Sequence, residues 1–320
     1  MAVARALVAC GAGRHSRVGI LMTNRLEWVS ACFGVALAGG TVVGLSTFST
    51  PAELEHLLQA SGVSILLFER KVLAKDFLGV LRELEPAIAA AAPGALRSTR
   101  FPYLRRLAMV GDGEGGAVES WSAFLAHGEA VDPAVVEARA ASVHPSDPAL
   151  LFFSSGSTGK PKGILNAHRG VCIQGWRWVR IYAKDHDWRF WSANGLFWSG
   201  NFSLAMGGTF AAGGTLVLQR TFDPAEAIRL FAAERVTFPY CWPHQWAQLE
   251  AEPTWAGADL SSFWYLDAEV MLRHPHKAIT HPRLDPRASY GSTETFTISA
   301  SFAVDAPREL WEGTFGEALP

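Results

Sequence analysis

The sequence predicts an α/β protein of two similar, pseudo-repeated lobes, each a mostly parallel sheet flanked by helices. Three observations lead there. A segment near the N-terminus recurs in the second half, where Leu37-Ala38-Gly39-Gly40-Thr41-Val42-Val43 resembles Ala211-Ala212-Gly213-Gly214-Thr215-Leu216-Val217. The spacing persists, since Pro51-Ala52-Glu53 returns as Pro224-Ala225-Glu226 and Val63 as Val236, at nearly the same offset as the glycine pair. Finally, each copy alternates apolar helix with short β-branched strand. Strands alternating with helices need crossover connections, and these give a parallel sheet covered on both faces.

Taken in order, each copy opens on an apolar helix that stops at glycine, the residue that enters the left-handed region without a Cβ penalty. A short β-branched strand follows. The next helix has Thr50 or Asp223 as N-cap, proline at its first position and an acidic residue in its first turn. Another strand, 63–68 or 236–240, closes the copy. Between the copies, 86–148 is rich in Ala, Gly and Pro. It holds a Gly111-Asp112-Gly113-Glu114-Gly115-Gly116 cluster, read as an exposed loop, and ends on a rigid His144-Pro145-Ser146-Asp147-Pro148 connector. The expected division is therefore a first lobe at 1–148 and a second at 149–320.

Composition narrows the class. At roughly 150 residues per domain, 320 residues suit two lobes. A hydrophobic fraction of 49%, a charged fraction of 18% and a mean hydropathy of +0.13 supply a core and exclude intrinsic disorder. A net charge of −2 provides no general attraction to nucleic acid or to an anionic membrane. Cys10, Cys32, Cys172 and Cys241 form no CxxC pair and sit in apolar surroundings, as expected of a reduced, cytoplasmic protein. The segment Met1 to Arg14 does not read as a signal peptide. The uncharged stretches 28–52 and 190–219 are cut by Gly39-Gly40, and by Gly207-Gly208 and Gly213-Gly214. A membrane span needs about 20 uninterrupted apolar residues, so no transmembrane segment is expected. Oligomeric state is not legible.

The chemistry-bearing segment begins where the apolar strand Ala149-Leu150-Leu151-Phe152-Phe153 runs into Ser154-Ser155-Gly156-Ser157-Thr158-Gly159-Lys160-Pro161-Lys162-Gly163. Glycines let backbone N–H groups approach and converge, four hydroxyls add donors, and two lysines add positive charge, which together suit a polyphosphate. The loop is not a Walker A motif, because Pro161 follows Gly159-Lys160 where Ser or Thr belongs, and Ser154 stands where Gly belongs. A Ser/Gly linker is the alternative. The strand entering the loop, the Lys-Pro-Lys-Gly exit and the apolar Ile164-Leu165 beyond it oppose that reading.

Residues 154–163 resemble the phosphate-loop signature of the adenylate-forming (AMP-binding) superfamily: acyl- and aryl-CoA synthetases, luciferases and peptide-synthetase adenylation domains. His168 sits where that family often has a histidine. Tyr290-Gly291-Ser292-Thr293-Glu294 resembles its Tyr-Gly-x-Thr-Glu motif, and Gly313-Thr314-Phe315-Gly316-Glu317-Ala318-Leu319-Pro320 is similar to the segment that follows. The resemblance covers nearly the whole chain, in order. It implies that Ser154, Ser155, Gly156, Ser157, Thr158, Gly159, Lys160 and Lys162 hold the β- and γ-phosphates of ATP. It implies further that Tyr290, Gly291, Ser292 and Thr293 contact adenine and the α-phosphate, and that Glu294 and Thr158 bind Mg²⁺ through hard oxygens. Thr158, Lys162, Thr293 and Glu294 are then the catalytic set, in a reaction that depends on neutralising phosphate charge.

Departures from the family pattern bear on the substrate. Leu266-Asp267-Ala268-Glu269-Val270 stands where relatives carry a Gly-Gly-Ala-Pro-Leu run, and Gly195-Leu196-Phe197-Trp198 where Pro-Leu-Phe-His is common. Trp198, Asp267 and Ala268 are thereby candidate substrate-pocket residues, with core packing the alternative for Trp198. By the same resemblance the chain is expected to be an N-terminal-domain fragment, without the family's C-terminal domain and its lysine. His274-Pro275-His276 with His281 reads as a polar surface loop rather than a metal site. Clustered Trp176, Trp178, Trp188 and Trp191 fit either an aromatic pocket or core packing. The expected activity is ATP-dependent activation of a carboxylic acid, fatty or aryl, and transfer to coenzyme A, in the manner of a cytoplasmic ligase of fatty acid metabolism. Two alternatives stay open: a carrier-protein thiol as acceptor, and a catalytically incomplete nucleotide-binding fragment.

Overall fold

A computed structural model describes residues 1–113, 115–154, 159–182, 184–266, 283–284, 289–303, 306–310 and 313–320. The chain forms two compact units, Met1–Arg169 and Gly170–Pro320.

In the first unit, strands β1 (Arg17–Leu21), β2 (Thr41–Gly44), β3 (Ile65–Glu69), β4 (Arg106–Val110), β5 (Val118–Ser120), β6 (Pro148–Ser154) and β7 (Lys162–Ala167) form one sheet in the order β5-β4-β3-β1-β2-β6-β7. Every pairing is parallel except that of β6 with β7. Both faces of such a sheet must be covered, so its central strands are continuous apolar runs such as Ile65-Leu66-Leu67-Phe68. On one side Leu54, Leu57 and Leu58 of the helix Pro51–Ser61 join Val43, Leu66 and Phe68 in a core that reaches Leu151 of β6. Each fully buried Leu or Phe contributes roughly 1.5–3 kcal/mol.

The second unit repeats the plan. Strands β8 (Arg189–Ser192), β9 (Thr215–Leu218) and β10 (Phe238–Pro239) are parallel, with β8 in the middle. The register matches as well: Arg17 pairs with Thr41 and Val18 with Ile65, while Arg189 pairs with Thr215 and Phe190 with Phe238. The connections account for the resemblance seen in sequence. The helix Leu26–Leu37 ends before Gly39 at φ +81°, and the helical segment ending in Gly208–Ala211 is followed by Gly213 at φ +74°. Both glycines take the left-handed conformation that frees the chain to turn back into a strand. Thr50 and Glu53 form a reciprocal capping box, with Glu53 Oε2 accepting from Thr50 N at 2.8 Å. Asp223 Oδ1 accepts from Glu226 N at 2.8 Å at the start of Pro224–Ala233.

The second unit's core is aromatic. Trp188 stacks on Phe238 at 5.1 Å between centroids, and Trp191 meets Phe231 edge-on at 4.9 Å. Trp188 and Trp191 are wholly buried and Trp178 is buried, so three of the four clustered tryptophans are core. Trp176 lies outside, under the Arg180 guanidinium. The second unit also holds an antiparallel sheet of β11 (Ser289–Ser292), β12 (Thr297–Ser301) and β13 (Glu317–Ala318).

One expectation shifts. The strand expected to open a second lobe at residue 149 is hydrogen-bonded to β2 through Val42↔Leu150 and Val43↔Leu151, and so extends the first sheet. The division falls after Arg169, beyond the hairpin of β6 and β7 rather than at the connector before it. No helix among the described residues is long and apolar enough to cross a membrane.

Two sets of variants test this account. Removing either cap, by Thr50→Ala or Asp223→Ala, should lower the denaturant-measured stability by about 1 kcal/mol. Gly291→Ala should cost about 3 kcal/mol, because a Cβ there would stand 1.6 Å from the Thr297 carbonyl oxygen. Unchanged midpoints would refute the capping and close-approach assignments respectively.

Candidate nucleotide site

In the first unit the phosphate-loop segment is the connection of a β-hairpin. β6 and β7 pair antiparallel as far as Ser154↔Lys162. β6 is buried because β2 flanks it on the other side, whereas β7 is the sheet's edge and exposes Lys162 and Leu165. Ser155, Gly156, Ser157 and Thr158 lie outside the described residues. Gly159 has φ +93°, and Lys160 and Lys162 are exposed ammonium groups on either side of Pro161. The Pro161 carbonyl lies 2.9 Å from His56 Nε2, on the helix Pro51–Ser61. The lysine-bearing exit of the loop is thus held twice, by the ladder at Ser154 and Lys162 and by an imidazole 105 residues earlier. No local pattern marks His56; only the fold brings it to the loop.

His168 starts the helix His168–Ile181, and its backbone N–H donates to the Asp147 carbonyl at 3.1 Å. Its Nε2 is buried without a hydrogen-bond partner among the described residues. Burial pulls the imidazole pKa below its ordinary value, with Asp147 opposing, so the ring is biased to the neutral form. Asp147 is itself held ionised, first by the His144 N–H at 2.9 Å and then by Arg14 at 2.5 Å.

In the second unit, Tyr290-Gly291-Ser292-Thr293-Glu294 runs along β11 into a single 3₁₀ turn, Thr293–Thr295. A bulge between Tyr290 and Gly291 shifts the pairing from Tyr290↔Ala300 to Gly291↔Ile298. Gly291 packs directly on the Thr297 carbonyl, where no side chain fits. Thr295 Oγ1 accepts from Ser292 N at 3.0 Å and closes the turn. Phe296 and Thr297 then take positive φ, +49° and +81°, a strain held by β12 and the buried Phe296 ring.

The outcome is a compact set of exposed groups. Tyr290 is 59% exposed, with its ring edge-on to Phe315 at 6.3 Å. Thr293 is half-buried and Glu294 is exposed beside it. Ser199 Oγ, one residue after Trp198, lies 3.5 Å from Thr293 Oγ1. Trp198 is 50% exposed, so the core-packing alternative does not hold for it. Asp267 and Ala268 lie outside the described residues, as do His274, His276 and His281. Ser199, like His56, carried no sequence signal.

Chemically, the first unit presents two ammonium groups at a backbone turn, and the second presents a hydroxyl, a carboxylate and an aromatic face. Among the described residues no group of three or more His, Cys, Asp or Glu could hold a metal by itself. Glu294 offers one hard oxygen site, which fits a magnesium ion completed by phosphate oxygens and water.

The AMP-binding enzyme family matches residues 1–320. A Mycobacterium tuberculosis protein named 3-[(3aS,4S,7aS)-7a-methyl-1,5-dioxo-octahydro-1H-inden-4-yl]propanoyl:CoA ligase is 32% identical over 259 residues, covering 81% of this chain and 48% of its own length. Indoleacetate–CoA ligase of Aromatoleum aromaticum is 27% identical over 323 residues, covering 99% of this chain and 58% of its own length. This chain therefore spans about half the length of the curated relatives it matches. In fold it is similar to the anthranilate CoA ligase AuaEII in complex with anthranoyl-AMP, with a TM-score of 0.80 at 22% identity over 99% of this chain and 57% of that one. It is also similar to the N-terminal domain of FACL13 from Mycobacterium tuberculosis, with a TM-score of 0.76 at 18% identity over 99% of this chain and 73% of that one. The chain belongs to the AMP-binding enzyme family, and the relatives it matches include CoA ligases.

Proposed function

We propose that this chain carries the nucleotide site of an acyl-CoA ligase acting on a fatty or aryl acid. The observation that carries the reading is the hairpin whose exit fixes Lys160 and Lys162 as exposed cations, in a chain matched from end to end by AMP-binding enzymes. In the first step a carboxylate oxygen bonds to the α-phosphorus of ATP, the bond from that phosphorus to the bridging oxygen breaks, and pyrophosphate leaves with the electron pair. In the second, the thiolate of coenzyme A attacks the acyl carbon and AMP leaves.

In this reading Lys160, Lys162, Ser154 and Gly159, with Ser155, Gly156, Ser157 and Thr158, bind the β- and γ-phosphates. Charge-assisted hydrogen bonds of this kind are stronger than neutral ones, which suits a leaving group that gathers negative charge. Thr293 donates to the α-phosphate, and Tyr290 offers its exposed ring to adenine. Glu294 and Thr158 are the residues for magnesium, which when bound neutralises phosphate charge. Trp198, Asp267 and Ala268 line the acid's pocket, and a half-exposed indole favours an apolar acyl or aryl group. The lobes are 1–169 and 170–320 in this proposal.

Full relatives are about twice as long, so we assign nucleotide binding to these 320 residues and expect them alone to turn over slowly or not at all. Titration of the chain with ATP and with AMP tests the reading. Lys160→Ala and Lys162→Ala should each weaken ATP binding roughly tenfold while leaving AMP binding nearly unchanged, since each removes a charge-assisted contact to the outer phosphates. His56→Ala should weaken ATP in the same selective way, and His56→Gln, which keeps an N–H donor, should restore part of it. Wild-type protein that binds no ATP at millimolar concentration, or lysine variants that bind it equally well, would sink the proposal. Pyrophosphate exchange at an ordinary enzymatic rate by the isolated chain would overturn the expectation of weak turnover.

A further inference from the structure

The second unit buries a lysine that the proposed reaction does not use. Lys184 follows the helix His168–Ile181 and is only 6% exposed. Its Nζ lies 4.7 Å from the ring centroid of Trp188, 5.3 Å from Phe190 and 5.7 Å from Tyr182. Burial drives its pKa well below the usual lysine value. An apolar side chain of similar length would fill this aromatic cage without any desolvation penalty, so the amine needs a reason.

Its hydrogen bond supplies one. Nζ donates to the Leu204 carbonyl at 3.1 Å. Leu204 sits in Phe202–Gly207, a π-wound turn between the α-helical pieces Ser199–Asn201 and Gly208–Ala211. Such turns are rare and interrupt the usual hydrogen-bond ladder, so a carbonyl within one is open to an outside donor. Gly208 keeps the place clear: a Cβ there would stand 2.7 Å from Nζ and 2.9 Å from Trp178 Cβ.

The same helical segment touches the 290–294 turn and the strand after it. Ser203 Oγ accepts from Trp178 Nε1 at 3.1 Å and donates to Thr297 Oγ1 at 3.0 Å. Ser199 Oγ meets Thr293 Oγ1 at 3.5 Å. Thr297 is the residue held at φ +81°. We propose that Lys184 is a positioning residue: by donating to the Leu204 carbonyl it fixes the π-wound turn in the register that sets Ser199 against Thr293 and Ser203 against Thr297. The lysine touches no reacting atom. It acts through the turn, and its functional weight rests on the nucleotide-site reading of Thr293.

Amide hydrogen exchange on the full chain tests this, because it reads the two hydroxyl contacts apart from overall stability. Lys184→Met keeps the apolar stem and removes the donor. It should leave the unfolding midpoint unchanged or raised, yet speed exchange at least tenfold in 199–207 and 290–297, with β8 and β9 keeping their protection. Gly208→Ala, which crowds the amine from the other side, should reproduce the local loss and gives the readout if the methionine variant does not fold. Exchange unchanged in both segments, or accelerated equally across β8, β9 and the helix Pro224–Ala233, would overturn the proposal and leave Lys184 as core filling. Wild-type failure to bind ATP would sink the nucleotide reading and leave this exchange result standing.

Discussion

A parallel strand cannot be followed directly by its neighbour; the chain must cross over one face of the sheet and re-enter at the same end. That requirement governs the molecule. Each crossover has to bury an apolar helix, stop it and start the next strand within a few residues. Leu26–Leu37 does so by ending before a left-handed Gly39, and the corresponding segment of the second unit by ending before Gly213. The return helices then begin at a side-chain cap followed by proline, Thr50-Pro51 and Asp223-Pro224. Each of these devices is worth little by itself. Together they fix the strand order, with β1 between β2 and β3 and β8 between β9 and β10, and therefore fix which loops emerge where.

This explains what the sequence discloses and what it withholds. Glycine stops, caps and β-branched runs are local devices, so the duplicated strand–helix plan was legible from spacing alone. Sheet membership is not local. Nothing within Ala149 to Phe153 states that its partner is Val42-Val43 rather than a strand of the second unit, and the division lies later in the chain for that reason. The Tyr-Gly-x-Thr-Glu segment was legible because close backbone approach sets its glycine, as Gly291 against the Thr297 carbonyl shows, and the phosphate-loop segment because its run of Ser, Gly and Lys is itself distinctive. Their supports were not. His56, Ser199, Ser203 and Lys184 are ordinary residue types in ordinary contexts, and each acquires its role through a partner distant in the chain. The aromatic cluster was ambiguous for a related reason: tryptophan serves core and surface equally, and only burial separates Trp188 from Trp176.

The two candidate segments solve different physical problems. The exit of the β6–β7 hairpin is anchored to the ladder and, through the Pro161 carbonyl, to His56, while Lys160 and Lys162 stay exposed. The 290–294 turn sets the half-buried Thr293 hydroxyl beside the exposed Glu294 carboxylate. Its backbone takes a bulge, a 3₁₀ turn and two consecutive positive-φ residues to do so. Strain of this sort persists only when neighbours over-determine it. Here they do: Phe296 is buried, Thr297 is bound by Ser203, and β12 is paired on both edges.

Polar groups placed under that strained turn work against stability, and the cost is informative. A buried amine in an aromatic cage and a π-wound turn are each less favourable than a hydrophobic residue in a regular helix. They occur together, joined by one hydrogen bond, in the segment that contacts Thr293 and Thr297. An apolar cage would hold the helix firmly but in no single register, because dispersion forces are indifferent to a shift of a fraction of a turn. A donor aimed at one carbonyl is not indifferent. The lysine therefore exchanges stability for the placement of two hydroxyl groups, which is the exchange expected where a segment must be in one position to bind rather than merely be folded.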